Sequence, residues 1–110
     1  MLFIVQFEDV YADQPERLTE RAAHMDAHLA FLSSLGDRVV ASGALRASPD
    51  SVPLGGLWIV NAANKAEVEA MTQADPFWRA NLRKSVRISV WAKAVWSPAF
   101  EACIDTITAD

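Results

Sequence analysis

An aspartate that precedes a proline and a histidine within a helix are the side chains of this sequence best suited to acid/base chemistry. Asp75 stands before Pro76, a pair typical of a helix start, in which Asp caps and Pro occupies the first turn. His28 falls inside the apolar arc of a predicted helix. A buried histidine needs a hydrogen-bond partner, and a carboxylate would fix its tautomer and raise its basicity. We therefore predict a His28–Asp75 pair that acts as a general acid/base.

Each of these residues also has a purely structural interpretation. His28 could be a core histidine with satisfied hydrogen bonds, and capping alone explains Asp75. A third interpretation is a metal site, because Glu20, His24 and His28 lie on successive turns of one helix. No second histidine cluster or HExxH pattern supports a metal, and we expect none.

The residues that follow Asp75 could form part of a pocket. Phe77 and Trp78 could supply a pocket wall, although each taken alone is more typical of core. Cys103 lies in a tail without basic neighbours, which favours an inert thiol. Without phosphate-binding glycine loops, a metal cluster or a reactive cysteine in the sequence, elimination favours proton transfer without a cofactor.

The elements that position these residues follow from the apolar pattern. Strands are predicted at 2–7, 38–45, 57–60 and 86–96, the last from the strict alternation that starts at Val86. Helices are predicted from a cap at Asp13 to about Leu35, before Gly36, and from a cap at Asn64 through 65–74. A short helical segment should span 75–81. The order β-α-β-β-α-β predicts an α+β, ferredoxin-like fold with two helices on one face of an antiparallel sheet.

The face of that sheet away from the helices cannot be wholly polar. The first strand is apolar throughout residues 2–5, and later strands must also point a large apolar residue away from the helices. Exposing such a patch is unusual for a monomer. We therefore predict a homodimer that packs sheet to sheet.

Composition narrows the classes of partner. The 110 residues, of which 52% are hydrophobic and 22% charged, predict one domain over 1–110 with a C-terminal tail at 97–110. The formal charge of −4 argues against a nucleic-acid partner. The densest basic group, Arg79, Arg83, Lys84 and Arg87, is interpreted as a solvated face or else as a rim that steers anions. The apolar N-terminus is too short to span a membrane and lacks a signal-peptide pattern, so we expect a cytoplasmic protein without a membrane partner.

Taken together, these motifs resemble the YCII-related (YciI-like) family of dimeric α/β-barrel, ferredoxin-like proteins. The resemblance runs from Leu2 to about Trp96. The motifs that carry it are Arg21, His28-Leu29 and Leu32, Ala41-Ser42-Gly43-Ala44, Gly56, Asp75-Pro76-Phe77 and Ala80-Asn81-Leu82. Two positions depart from the family pattern: Ala44 stands where proline is usual, and Asn81 where glycine is usual.

The resemblance implies a homodimer with a cleft beside the first helix and a proposed acid/base pair that maps to His28 and Asp75. We predict that Ser42 and Gly43, with Phe77 and Trp78, bind the substrate. Some relatives act as lyases or dehydrochlorinases on small ring compounds. We expect a small cofactor-independent enzyme, lyase- or isomerase-like, acting on a small organic substrate. The alternatives are a non-catalytic homodimer that binds a small ligand or serves as an accessory protein, and a haem-binding variant with His28 as axial ligand.

Overall fold

The computed structural model describes residues 1–92 and 94–102 of the chain. The described strands are β1 (Leu2–Asp9), β2 (Val39–Arg46), β3 (Pro53–Asn61) and β4 (Arg83–Val90). The helices are α1 (Leu18–Ser34), α2 (Lys65–Ala74) and the one-turn α3 (Pro76–Arg79). Short 3₁₀ turns at Pro15–Arg17 and Gly36–Arg38 flank α1.

The four strands form one antiparallel sheet in the order β2-β3-β1-β4. The two central strands, β1 and β3, pair from Leu2 opposite Asn61 to Glu8 opposite Gly55. This order, with α1 and α2 as crossovers, is the ferredoxin-like arrangement. The predicted α+β fold class is confirmed.

The main core lies between the sheet and the helices. Phe3, Val5 and Phe7 alternate along β1 toward the helices, and Trp58 and Val60 continue this face on β3, all at most 4% exposed. Full burial of side chains of this size contributes about 1.5–3 kcal/mol each. The helices and the loop after α1 add further members of this core: Leu35, Val68 and Met71.

The opposite face of the sheet, which we call the open face, carries aliphatic side chains. Ile4 pairs with Ile59 across the two central strands, and Leu57 lies two residues before Ile59 on the same face. All three are half-buried in the single chain. An apolar open face, as the sequence predicts, is therefore present.

Two predicted helix starts have different outcomes. The Asn64 side chain accepts a hydrogen bond from the Glu67 amide (2.9 Å), so α2 begins as predicted. Asp13, in contrast, does not cap α1. Its carboxylate accepts from Lys84 Nζ at 2.8 Å, and the chain enters α1 through a 3₁₀ turn without a side-chain cap.

Two predicted strand limits are wrong by four residues or more. The last strand ends at Val90, short of the predicted Trp96, because β1 supplies no partner beyond Leu2, whose carbonyl accepts from the Trp91 amide. β3 starts at Pro53, earlier than predicted, because Gly55 lies against the backbone of β1. A Cβ at Gly55 would sit 1.8 Å from the Phe7 carbonyl oxygen, so the strand needs glycine there.

After β4 the chain forms a small aromatic cluster. Trp91, Trp96 and Phe100 have ring centres 4.6 to 5.9 Å apart, and residues 98–102 form a helical turn. Ser97 begins this turn, since its hydroxyl oxygen accepts from the Phe100 amide. Cys103 and the remainder of the predicted tail lie outside the described residues. Within the described ranges, no helix combines the length and apolar character needed to cross a membrane.

Candidate active site

His28 is the one buried residue of α1, although that helix carries many aliphatic side chains. Its ring is directed at Asp75, the fully buried residue that starts α3. His28 Nδ1 lies 2.7 Å from Asp75 Oδ1. Because a carboxylate only accepts hydrogen bonds, Nδ1 carries the proton and Nε2 is the basic nitrogen of the neutral ring. The structure thus brings together the two residues of the predicted pair.

Asp75 also caps α3 and binds a cation. Oδ1 accepts from the Phe77 amide at 3.3 Å, and Oδ2 accepts from Arg83 Nε at 2.8 Å. Burial by itself would raise the pKa of Asp75. The hydrogen bond from His28 and the charge and hydrogen bond of Arg83 outweigh burial and hold that pKa below its ordinary value. Asp75 is therefore ionised while it orients the imidazole.

Arg83 extends the pair into a chain of four charged or titratable groups. Its Nη1 donates to Asp9 Oδ1 at 3.0 Å, while its Nε donates to Asp75. The guanidinium lies over the Phe7 ring, 3.9 Å from the ring centre. Gly56 leaves room for it, since a Cβ there would be 3.0 Å from Nη1.

The solvated-face interpretation of the basic group is wrong for Arg83, whose side chain is 4% exposed. Its role depends on a β-bulge between Glu8 and Asp9, which sets Asp9 opposite Arg83. The acidic residue at the end of the first strand could have suggested a buried partner for Arg83. The Asp9–Arg83 pair itself depends on the register of two strands that are far apart in sequence.

Asp9 and Tyr11 lie next to this chain and were also missed. Burial raises the pKa of Asp9, against the opposing charges of Arg83 and Arg21. Burial, with the nearby Asp9 charge, raises the pKa of Tyr11 to about 12, so its phenol stays neutral. The Tyr11 hydroxyl is buried and has no hydrogen-bond partner among the described residues.

Phe77 supports the histidine ring. The two rings stack with their centres 4.0 Å apart and an interplanar angle of 12°. Phe77 is itself held in a second core cluster with Val10, Tyr11 and Leu82. The stacked Phe77 ring and the hydrogen bond from Nδ1 to Asp75 together restrict rotation of the His28 side chain.

A cavity of about 140 Å³ opens beside His28. The predicted residues Ser42, Gly43 and Phe77 line it, and so do three charged residues: Asp9, Arg21 and Arg83. Its remaining wall is largely apolar and includes Met25, Leu29, Leu32 and Trp58. The volume lies below the roughly 300–1,000 Å³ of pockets for drug-sized ligands, so a single-ring compound suits it better than a haem macrocycle.

Trp78 does not line this cavity. It packs against the main core and borders a separate depression with Val86 and Ile88. Consecutive residues of a helix point about 100° apart, which separates Trp78 from its neighbour Phe77.

The structure does not gather the three residues of the alternative metal site. His24 Nδ1 donates to the Glu20 backbone carbonyl at 2.8 Å, and the Glu20 carboxylate is bound by Arg17. His28 points to Asp75 instead. Within residues 1–92 and 94–102, no group of three or more His, Cys, Asp or Glu side chains is arranged to hold a metal ion.

Known proteins with a similar sequence or structure support the ferredoxin-like fold, and one of the similar structures contains a bound ligand. No curated protein sequence matches the chain. A solved structure of 5-chloro-2-hydroxyhydroquinone dehydrochlorinase (TftG) from Burkholderia phenoliruptrix AC1100, in complex with 2,5-dihydroxybenzoquinone, is 26% identical. The match has a TM-score of 0.72 and covers 86% of this chain and 96% of that one. The model of the YCII-related domain matches residues 2–92, and the chain belongs to that family.

Proposed function

We propose that this protein is a small cofactor-independent enzyme that uses His28 and Asp75 for proton transfer on a single-ring organic substrate. The observation that carries the proposal is the buried 2.7 Å contact between His28 Nδ1 and Asp75 Oδ1 at the edge of a small cavity. The similarity to a dehydrochlorinase with a bound quinone supports a lyase-like reaction on a ring compound.

In this proposal, His28 Nε2 removes a proton from a carbon or oxygen of the substrate. Asp75 holds the ring and stabilises the imidazolium that forms. In an elimination, the electron pair of the broken bond then expels a leaving group such as chloride, so that HX is lost in total. In an isomerisation, the imidazolium returns the proton to another atom. General-base catalysis contributes about 10²–10⁴-fold, and positioning in the cavity must supply the rest.

Ser42, Gly43 and Phe77 form the binding surface in this proposal. Ser42 and Gly43 of β2 line the cavity and carry a small side chain or none, so a flat ring could approach the strand closely. Trp78 is not included in this surface, because it borders a separate depression.

We also propose that the protein acts as a homodimer that covers the open face, because the aliphatic residues of this face would otherwise be exposed to water. We propose in addition that it works in the cytoplasm, since its single cysteine fits a reducing compartment.

Proton removal can be tested before the natural substrate is known. The purified protein is incubated in D₂O with a panel of small hydroxylated rings, which includes 5-chloro-2-hydroxyhydroquinone. Exchange of ring protons is followed by NMR, and chloride release by ion chromatography. We expect protein-dependent exchange or chloride release that falls about 10²–10⁴-fold in His28→Gln.

His24→Gln is the matched control, because His24 lies one turn earlier on α1 and, among the described residues, its ring bonds to the Glu20 carbonyl and not to Asp75. It should keep the wild-type rate. Equal rates in the wild type and His28→Gln would refute the catalytic role. A folded wild type that binds members of the panel without exchange or release would favour the alternative, a non-catalytic ligand-binding dimer.

A further inference from the structure

We propose that Arg21 is an anion-binding residue of this cavity and that the site selects ring compounds bearing an ionised oxygen. This inference deepens the proposed function and rests on it for the catalytic consequence. The binding preference itself does not require that the protein be an enzyme.

The Arg21 guanidinium acts on Asp9 through its charge, but no carboxylate of the described residues forms an ion pair with it. Its Nε is buried and has no hydrogen-bond partner among the described residues. Arg21 lines the cavity, and its Cζ lies 5.7 Å from the centre of the Phe77 ring. In residues 1–92 and 94–102 it forms no ion pair, whereas Arg83 binds two carboxylates. A buried donor with no acceptor is costly, so a ligand oxygen at this position would be stabilising.

Arg21 and His28 are placed to contact the same small molecule. They stand seven residues apart on α1, which is close to two turns and sets them on one face of the helix. Both approach one aromatic ring, Phe77, at 5.7 Å and 4.0 Å from its centre. A six-membered ring with oxygen substituents can reach from the imidazole to the guanidinium across such a site.

The charges of the site explain why an anion fits when a proton is transferred. With His28 neutral, the carboxylates Asp9 and Asp75 balance the guanidiniums Arg21 and Arg83. Transfer of a proton from the substrate to His28 creates one positive and one negative charge. Asp75 faces the new positive charge. Arg21 is the group available to stabilise the negative charge on the substrate oxygen, because Arg83 already binds two carboxylates.

The chemical class that follows is an enol, phenol or hydroxyquinone whose oxygen is ionised or becomes so during reaction. A guanidinium offers two N–H groups in one plane and so matches an oxyanion or a pair of neighbouring oxygens. A lysine would supply charge without that geometry. Arg21→Lys should therefore recover only part of the binding that Arg21→Gln loses.

Ligand binding tests the proposal directly. The probes are 2,5-dihydroxybenzoquinone, whose hydroxyls are conjugated to carbonyls and ionise readily, and hydroquinone, which stays neutral at pH 7. Affinities are measured by calorimetry for the wild type, Arg21→Gln and Arg21→Lys. We expect Arg21→Gln to weaken binding of the quinone anion by about tenfold or more and to leave hydroquinone binding within about twofold. Added salt should weaken quinone binding in the wild type more than in Arg21→Gln.

Arg79→Gln is the control for loss of a positive charge, since Arg79 is exposed and does not line the cavity. It should leave the affinity for both probes unchanged. The proposal is overturned if the wild type does not prefer the anion, or if Arg21→Gln weakens both probes equally, as a structural role would. A selective loss in Arg21→Gln with no proton exchange in any variant would support Arg21 and count against the enzyme. Proton exchange that is lost in His28→Gln but kept in Arg21→Gln, with unaltered anion binding in Arg21→Gln, would support the enzyme and refute the role of Arg21.

Discussion

At the residue scale, the candidate site is a chain of paired charges from His28 through Asp75 and Arg83 to Asp9. Each carboxylate is buried, and burying a charge is tolerable only when partners compensate it. Arg83 divides its hydrogen bonds between the two carboxylates, so Asp75 is not available to His28 alone. The arrangement fixes the imidazole and keeps Asp75 ionised.

The lowered pKa of Asp75 predicts how its contribution to stability depends on pH. A carboxyl whose pKa is lower in the folded state stabilises the protein above the unfolded value, ordinarily 3.8, and loses this contribution as the pH falls through the folded value. Asp75→Asn should lower the free energy of unfolding by about 3 kcal/mol at pH 7, because Arg83 keeps a buried charge with one partner fewer. Urea denaturation at pH 7, 5 and 3.5 measures the difference, which should shrink at the lowest pH.

Asp9→Asn provides a comparison of opposite sign. The pKa of Asp9 is raised by burial, so its ionised form is the less favourable one in the folded protein. The contribution of Asp9 therefore increases as the pH falls through its folded value. The free energy of unfolding of the wild type minus that of Asp9→Asn should therefore become more positive as the pH falls.

The same quantity for Asp75→Asn should become less positive as the pH falls. If it stays constant with pH, the lowered pKa of Asp75 is contradicted.

Some of these residues could be predicted from sequence, and others could not. Asp75 is marked by the proline that follows it, and His28 by its place in an apolar arc, so both carry local signals. Arg83 has none, since it lies in a basic stretch that is otherwise largely exposed. Its burial follows from a bulge in β1 and from the open space at Gly56. Such information lies in the pairing of distant strands.

At the scale of elements, the close approach of β3 to β1 brings Gly56 and Arg83 beside the cavity. Gly55 precedes Gly56 in β3 and contacts the Phe7 backbone, where even a methyl group would overlap the carbonyl oxygen. The sequence predicts this strand only from residue 57, after both glycines, because the residues before it are rich in turn formers. Here glycine is what allows the strand to form at this spacing.

Gly55→Ala should therefore be strongly destabilising. The added Cβ would lie 1.8 Å from a backbone oxygen that cannot rotate away, so β1 and β3 must separate. We expect the free energy of unfolding to fall by about 3 kcal/mol or more. Gly43→Ala is the matched control, because no atom lies within 4 Å of the added Cβ and its φ is not in the left-handed region. Urea denaturation that shows similar losses for both variants would disprove the close-approach explanation.

The limits of helices and strands were predicted correctly where they depend on contacts between residues close in sequence. The start of α2 depends on a bond between Asn64 and Glu67, three residues apart, and the sequence shows both. The end of β4 depends on where β1 begins, because the two strands are antiparallel, and no property of the alternating residues after Val90 reveals that position. Asp13 has the composition of a helix cap, but Lys84, seventy-one residues away, binds it instead. Sequence motifs therefore predict contacts between near residues, whereas contacts between distant residues determine the other limits.

At the scale of the molecule, α1 and α2 cover one face of the ferredoxin-like sheet and leave the open face on the other side. The open face presents Ile4, Leu57 and Ile59 from its two central strands. Leu45, on the edge strand β2, is 37% exposed and pairs with Gly55 across that face. A continuous apolar surface of this kind, on a sheet, is well suited to pack against a second copy.

Light scattering on the purified protein should therefore give about twice the chain mass of 12.1 kDa at micromolar concentration. Ile59→Lys should convert the protein to a folded monomer, because the ammonium group would be buried without a partner at the centre of the open face. Val52→Lys, at an exposed position in the turn before β3, should leave the dimer intact. A wild type that remains a monomer would show that the single chain tolerates its apolar open face. A dimer that survives Ile59→Lys would show that the two copies meet through another surface.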